Sequence, residues 1–289
     1  MKVNSILMDL ARGQWLMSLD GASSYMPLVH QILTGQAIDQ SISIDSLISV
    51  LDDSGRKVTS QNGQVNIPAN SIAVIDMIGP VTKYSGMCNH GADAVLDALQ
   101  MAENNPNIIG TIFKVDSPGG AVSAIGPFLE FAQTRKKPIV ALVDTCASLA
   151  YWAVCAIADH IMVDNDISAC IGSVGVVMTL MDDTKYLEEK GYKLHEVYPK
   201  ESEHKNKAFQ LAKQGNYDMI NEEVLSPLAI KFQNGVRAAR PNLKEETGVL
   251  TGKTFMADKA LQLGMIDSIG NLSMAINFLK VKSEMNHYN

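Results

Sequence analysis

The chain has 289 residues, 46% of them hydrophobic and 19% charged, with a formal net charge of −7. That length and balance suit a globular protein with a full core and exclude a disordered chain. The acidity is spread along the sequence and supplies no lysine and arginine stripe for a phosphate backbone, which excludes a general nucleic-acid binder.

In chain order, residues 6–16 and 26–33 carry apolar positions at helical spacing. No uninterrupted apolar run with a small-residue cleavage site follows, so no signal peptide is expected. No stretch reaches the roughly 18 apolar residues of a membrane span. The nearest candidate, 161–178, is broken by Asp164, Asp166, Gly172 and Gly175. A cytoplasmic chain without a membrane anchor is expected. Residues 52–70 are polar, contain Gly55, Gly63 and Pro68, and read as a loop or linker with room for short strands. Residues 1–70 are therefore read as an N-terminal extension and linker.

From Ser71 the pattern changes. SIAVIDMIGPV is a short apolar run bounded by Gly79-Pro80 and predicts a buried strand. A helix is predicted over 91–106, ending at Pro106, then a strand over 107–120, a helix over 121–137 and a strand over 138–148. A further helix over 149–160 and a strand with a loop to Gly172 follow. Strands alternating with helices imply βαβ units and a mostly parallel sheet with helical cover, an α/β fold.

Two junctions carry candidate chemistry. Asp116-Ser117-Pro118-Gly119-Gly120 lies between a predicted strand and a helix. Glycines there let backbone N–H groups face a developing negative charge, as an oxyanion hole requires, although a plain tight turn would read the same. Ser148 lies at the next strand-to-helix junction, beyond the carboxyl end of a strand, where ligand sites of parallel sheets gather. It fits either an N-cap for the helix from Leu149 or a nucleophile. A nucleophilic serine needs a base. The histidines are His30, His90, His160, His195, His204 and His287; the alternative is a lysine from VYPKESEHKNKAF, namely Lys200, Lys205 or Lys207. A lysine is a poor base at neutral pH unless desolvation disfavours its charged form. Cys88, Cys146, Cys155 and Cys170 show no Cys-x-x-Cys spacing, so no metal site or dithiol pair is expected and the thiols read as buried and free. Cys146 has only apolar companions and no base nearby in sequence, which argues against it as a nucleophile.

The ordered series KVDSPGGAV, ASLAYWAVCAIADHI, IGSVGVV, KYLEEKGYKLHEVYPKESEHKNKAF and GVLTGKTFMADKALQLGMIDSIGNL resembles the S49 serine peptidases, the signal peptide peptidase A group and the head-maturation proteases of tailed phages. The resemblance spans roughly 70–275, so 71–275 is expected as the peptidase domain and 276–289 as a short tail. It implies a ClpP/crotonase-like fold, a serine–lysine dyad and assembly into a homo-oligomer, with no metal or organic cofactor. By that resemblance Ser148 is the nucleophile, in the context Ala147-Ser148-Leu149-Ala150-Tyr151, with Leu149 standing where signal peptide peptidases have glycine. Gly119 and Gly120 match the oxyanion glycines, with the Leu149 N–H as a helper. Lys205, following His204, matches the general base. A ClpP-type triad would want a histidine about 25 residues after the serine, where this chain has Gly172-Ser173-Val174. The N-terminal ARGQWLM region and the lack of an anchor resemble the phage or prophage branch, whose substrates are capsid, portal or scaffold proteins. A peptidase degrading signal peptides, a catalytically silent scaffold protein and an acyl-CoA hydratase-like enzyme are the alternatives.

Overall fold

A computed structural model describes residues 14–17, 47–59, 66–86, 90–180, 184–193 and 195–287. Three strands, β3 (Ser71–Ile78), β4 (Ile108–Ser117) and β6 (Ile139–Ala147), run parallel at the centre of an eight-stranded sheet. Their apolar runs are continuous because both sheet faces are covered. β2 (Ile48–Leu51) adds an antiparallel edge on β3. Along its other side β6 pairs first with β7 (His160–Val163) and then, through residues 145–147, with β8 (Cys170–Gly172). β10 (Thr254–Met256) closes that edge on β8, and β11 (Ser268–Ile269) pairs with β7.

The helices follow from the sequence spacing. In α1 (Ala92–Asn104) the buried Ala92, Val95, Ala98, Leu99 and Ala102 form one stripe. The helix ends where Asn105, extended because Pro106 follows, leaves the helical region. α2 (Ile125–Thr134) buries Phe128 and Phe131, and α3 (Leu149–Ile157) is apolar all round and almost wholly buried. These helices cover one face, where Ala73, Ile75, Phe113, Ala141 and Val143 meet them. The opposite face, Ile72, Val74, Ile112, Val140 and Leu142, is covered by α9 (Leu272–His287) through Ala275 and Leu279. Residues 276–287, expected as tail, belong to that covering helix.

Three expectations are corrected. Gln14–Met17, which overlaps the end of the segment 6–16 whose spacing predicts a helix, is strand β1, because its backbone pairs on both sides with other strands. The rest of 6–16, and 26–33, lie outside the described residues, as do His30 and Cys88. The strand expected over 107–120 is interrupted at Pro118, which has no N–H to donate, and resumes as β5 (Gly119–Ala121). The helix expected from 121 begins at Ile125, after a 3₁₀ turn over Val122–Ala124.

One ion pair ties the C-terminal part of the chain to the sheet. Arg240, just past helix α7 (Ser226–Ala239), donates to both carboxylate oxygens of Asp267, at 2.9 and 2.7 Å, and to the Gly264 carbonyl at 3.0 Å. Asp267 also accepts the Ile161 N–H at 2.7 Å. Burial works to raise the Asp267 carboxyl, but the Arg240 and Ile161 hydrogen bonds outweigh it and hold the group below the ordinary carboxylate range. A carboxyl depressed on folding contributes stability above its unfolded pKa and loses it as pH falls through the folded one. Asp267→Asn is therefore expected to cost about 2–4 kcal/mol at neutral pH, since it leaves a half-buried guanidinium uncompensated. The gap between variant and parent should narrow in acid. Urea midpoints at the two pH values check this, and an equal gap at both contradicts it.

Candidate active site at two strand-to-helix junctions

Ser148 stands between β6 and α3 with φ 55° and ψ −120°, a left-handed conformation that is costly for any residue with a Cβ. Its side chain makes no capping hydrogen bond to the helix it precedes. The backbone around it is fixed. Its N–H donates to the Gly172 carbonyl at 2.7 Å, and its carbonyl accepts the Trp152 N–H at 3.0 Å. The residue is 1% exposed. The sheet thus holds this serine in a strained turn while leaving its hydroxyl out of the helix cap. The Leu149 N–H is among the first donors of α3, which a helix cannot satisfy internally.

The second junction lies beside the first, because Ser117 of β4 is in register with Cys146 of β6. Ser117 Oγ donates to the Gly79 carbonyl at 2.6 Å and accepts the Gly119 N–H at 3.2 Å. Gly119 has φ 110°, open to glycine alone in practice. Its carbonyl accepts the Val81 N–H at 2.9 Å, and the Ala121 N–H donates to the Val81 carbonyl at 2.9 Å. Successive peptide units of a strand point to opposite sides, so the Gly120 N–H faces away from Val81. Of the three expected oxyanion donors, Gly119 is turned to Ser117, Gly120 is turned toward Leu16 of β1, its partner in register, and the Leu149 N–H belongs to the first turn of α3. The roles of Val81 and of the Gly172 carbonyl were not read from the sequence. Their signal was the placement of Gly79-Pro80 and Gly172 at strand ends.

The remaining candidates lie on other elements of the chain. Lys200 lies in a 3₁₀ turn, Lys205 in a run of turns and Lys207 at the start of helix α5 (Lys207–Lys213); all three are exposed. His195 is exposed, and so is His204, 3.5 Å from the Glu203 carboxylate. His160 is engaged with Ser268 at 2.8 Å. Asp144, the carboxylate nearest Ser148 in sequence, accepts from Asn165 and Ser168 instead. Burial pushes the Cys146 thiol well up and the Cys155 thiol up to about 12, so neither supplies a thiolate. Tyr151 fixes the far side of α3 through a 2.7 Å hydrogen bond to the Met265 carbonyl. Among the described residues no group of three or more His, Cys, Asp and Glu is placed to hold a metal ion, and no helix is long and apolar enough to cross a membrane.

Fold and site together define an α/β protein whose candidate residues sit at the carboxyl ends of two adjacent parallel strands. The chain belongs to peptidase family S49, whose family model matches residues 131–286, more than half of its length. It is 28% identical over 218 residues to Protease 4 of Haemophilus influenzae, covering 73% of this chain and 34% of that protein. It is 23% identical over 269 residues to capsid assembly protease C of Escherichia phage lambda, covering 86% of this chain and 57% of the other. The chain thus spans from about a third to somewhat over half the length of these relatives. Among solved structures, the 1510-N membrane-bound stomatin-specific protease is similar with a TM-score of 0.46 and 14% identity, over 73% of this chain and 84% of that one.

Proposed function

We propose that the chain is a serine endopeptidase in which Ser148 attacks the scissile carbonyl and Lys205 takes its proton. The observation that carries this reading is Ser148 itself: buried, strained, and leaving its helix uncapped beside a glycine turn. A structural N-cap has no need of that geometry. In the proposed reaction the Ser148 Oγ–C bond forms as the proton moves to Lys205 Nζ. The Gly120 and Leu149 N–H groups hold the oxyanion. Lys205 then gives the proton to the leaving amine, and water hydrolyses the acyl-enzyme by the reverse sequence. Gly119 acts as a positioning residue, because its bonds to Val81 and Ser117 fix the direction of the next peptide. The similarity to capsid assembly protease C supports capsid, portal or scaffold polypeptides as substrates. A fluorophosphonate probe should label Ser148, located by peptide mapping. A probe that leaves Ser148 untouched while marking another residue sinks the assignment.

The exposed position of Lys205 leads to a second expectation. A lysine acting as base needs cover from water, and exposed apolar residues flank this segment: Tyr192, Val197, Phe209 and Tyr217. A second copy of the chain seated there would supply the cover and complete the site. Light scattering at assay concentrations should show an oligomer, and specific activity should fall on dilution below its dissociation. A fully active monomer overturns this.

A further inference from the structure

A second, small sheet lies beside the site, with strand order β5–β1–β9, where β9 is Val177–Met178. β1 is its middle strand. It pairs antiparallel with β5, in the register Trp15 to Ala121, Leu16 to Gly120 and Met17 to Gly119, and antiparallel with β9, Gln14 to Met178 and Trp15 to Val177. Adjacent strands lie about 4.8 Å apart, so β5 and β9 stand roughly 10 Å from each other with one strand between them. That is a slot one extended chain wide, with hydrogen-bonding edges on both sides. Only a polypeptide in β conformation meets both.

The register gives the occupant meaning. Running from Gln14 to Met17, β1 heads from Ala121 toward Gly119 and the turn beside Ser148. Val81 engages the Gly119 carbonyl and the Ala121 N–H, which leaves both backbone groups of Gly120 facing Leu16. The Gly120 N–H is the donor assigned above to the scissile carbonyl. Leu16 thus stands opposite the group that a substrate's reacting peptide would meet.

We propose that the slot between β5 and β9 is the polypeptide-binding site and that residues Gln14–Met17 fill it as a tethered pseudosubstrate, which an incoming extended polypeptide displaces. In making the slot the one that feeds Ser148, this inference rests on the peptidase reading. Because the occupant is part of the same chain, it competes at a fixed effective concentration, and substrate affinity is lowered by the fraction of molecules in which it is seated.

The test locks the occupant in place. Antiparallel partners have Cα atoms about 4.5–5.5 Å apart, inside the range of about 4.4–6.8 Å that a disulfide spans. In the full chain carrying Ser148→Ala, Trp15→Cys and Val177→Cys should cross-link on mild oxidation, read by intact mass after thiol alkylation. The probe is a fluorescein-labelled synthetic peptide of residues 13–20, followed by anisotropy. It should bind at least tenfold more weakly to the oxidised protein than to the same protein reduced. Failure to cross-link, or equal peptide binding in both states, overturns the proposal. In the matching pair with Ser148 intact, casein hydrolysis should be suppressed on oxidation and return on reduction. If casein is never cut while cross-linking and peptide binding behave as expected, the slot and its occupant stand and the peptidase reading falls.

Discussion

Ser148→Ala is expected to lower kcat on an unfolded polypeptide such as casein by about 10³–10⁶-fold with the fold intact, and Lys205→Ala by a similar factor. The two losses should not add in the double variant, because nucleophile and base act as one unit. Stability should hardly change in either case. Ser148 Oγ makes no helix cap, and Lys205 is exposed. A third substitution separates strain from chemistry. Glycine adopts φ 55° without a Cβ penalty, so Ser148→Gly should be more stable than Ser148→Ala by about 1 kcal/mol while equally inactive. Thermal unfolding of the two inactive variants reads this directly. Equal stabilities would mean that the turn stores no strain. Loss of activity in Lys200→Ala or Lys207→Ala, with Lys205→Ala unaffected, would move the base to that residue.

The central fold was legible because its strands and helices are separated by strong signals. Ser71–Ile78 is a run rich in β-branched residues closed by Gly79-Pro80, Ile139–Ala147 is a similar run opened by Pro138, and Ala92–Asn104 has a single apolar stripe ended by a proline. What could not be read were elements defined by their partners. Gln14–Met17 has four residues and no alternating pattern, and it is a strand only because β5 and β9 offer edges to it. Ile48–Leu51 joins the main sheet through β3 in the same way. Leu272–His287 has a weak apolar stripe, so its role in covering the second face comes from Ala275 and Leu279 rather than from its overall pattern.

The site divides along the same physical line. Ser148 and the glycine pair announce themselves because strand-to-helix junctions are local features. Their relation is set by pairing at long range, Ser117 against Cys146 and Ala147 against Gly172, which no local pattern reports. Gly119 illustrates the limit. Its residue type fits an oxyanion donor as well as Gly120 does, and it is the hydrogen-bond partners, Ser117 Oγ for the Gly119 N–H and Val81 for its carbonyl, that distinguish them. The lysine is harder still, since it sits in a run of turns whose cover a second copy of the chain is proposed to supply.

Gly120→Ala is the substitution expected to damage stability and activity together. An ideal Cβ on Gly120 would overlap the Val81 carbonyl oxygen and lie 2.7 Å from its carbonyl carbon and nitrogen, all backbone atoms. No side-chain rotation relieves such a contact. Val81 is buried and holds β5 by two 2.9 Å hydrogen bonds, so relief means separating the two segments and weakening both bonds. Overpacking of this kind together with the weakened bonds should cost about 3–5 kcal/mol. The shift also carries the Gly120 N–H away from its aim, and loss of one oxyanion donor lowers kcat by about 10²–10³-fold. Gly126→Ala is the matched control. Gly126 lies in α2 with nothing within 4 Å of its would-be Cβ, and alanine there should stabilise the helix by about 0.5–1 kcal/mol with activity retained. Urea unfolding and casein hydrolysis on the two variants decide the matter. A Gly120→Ala protein with the parental midpoint would show that Val81 does not press on the glycine turn, and one with parental kcat would remove Gly120 from the oxyanion site.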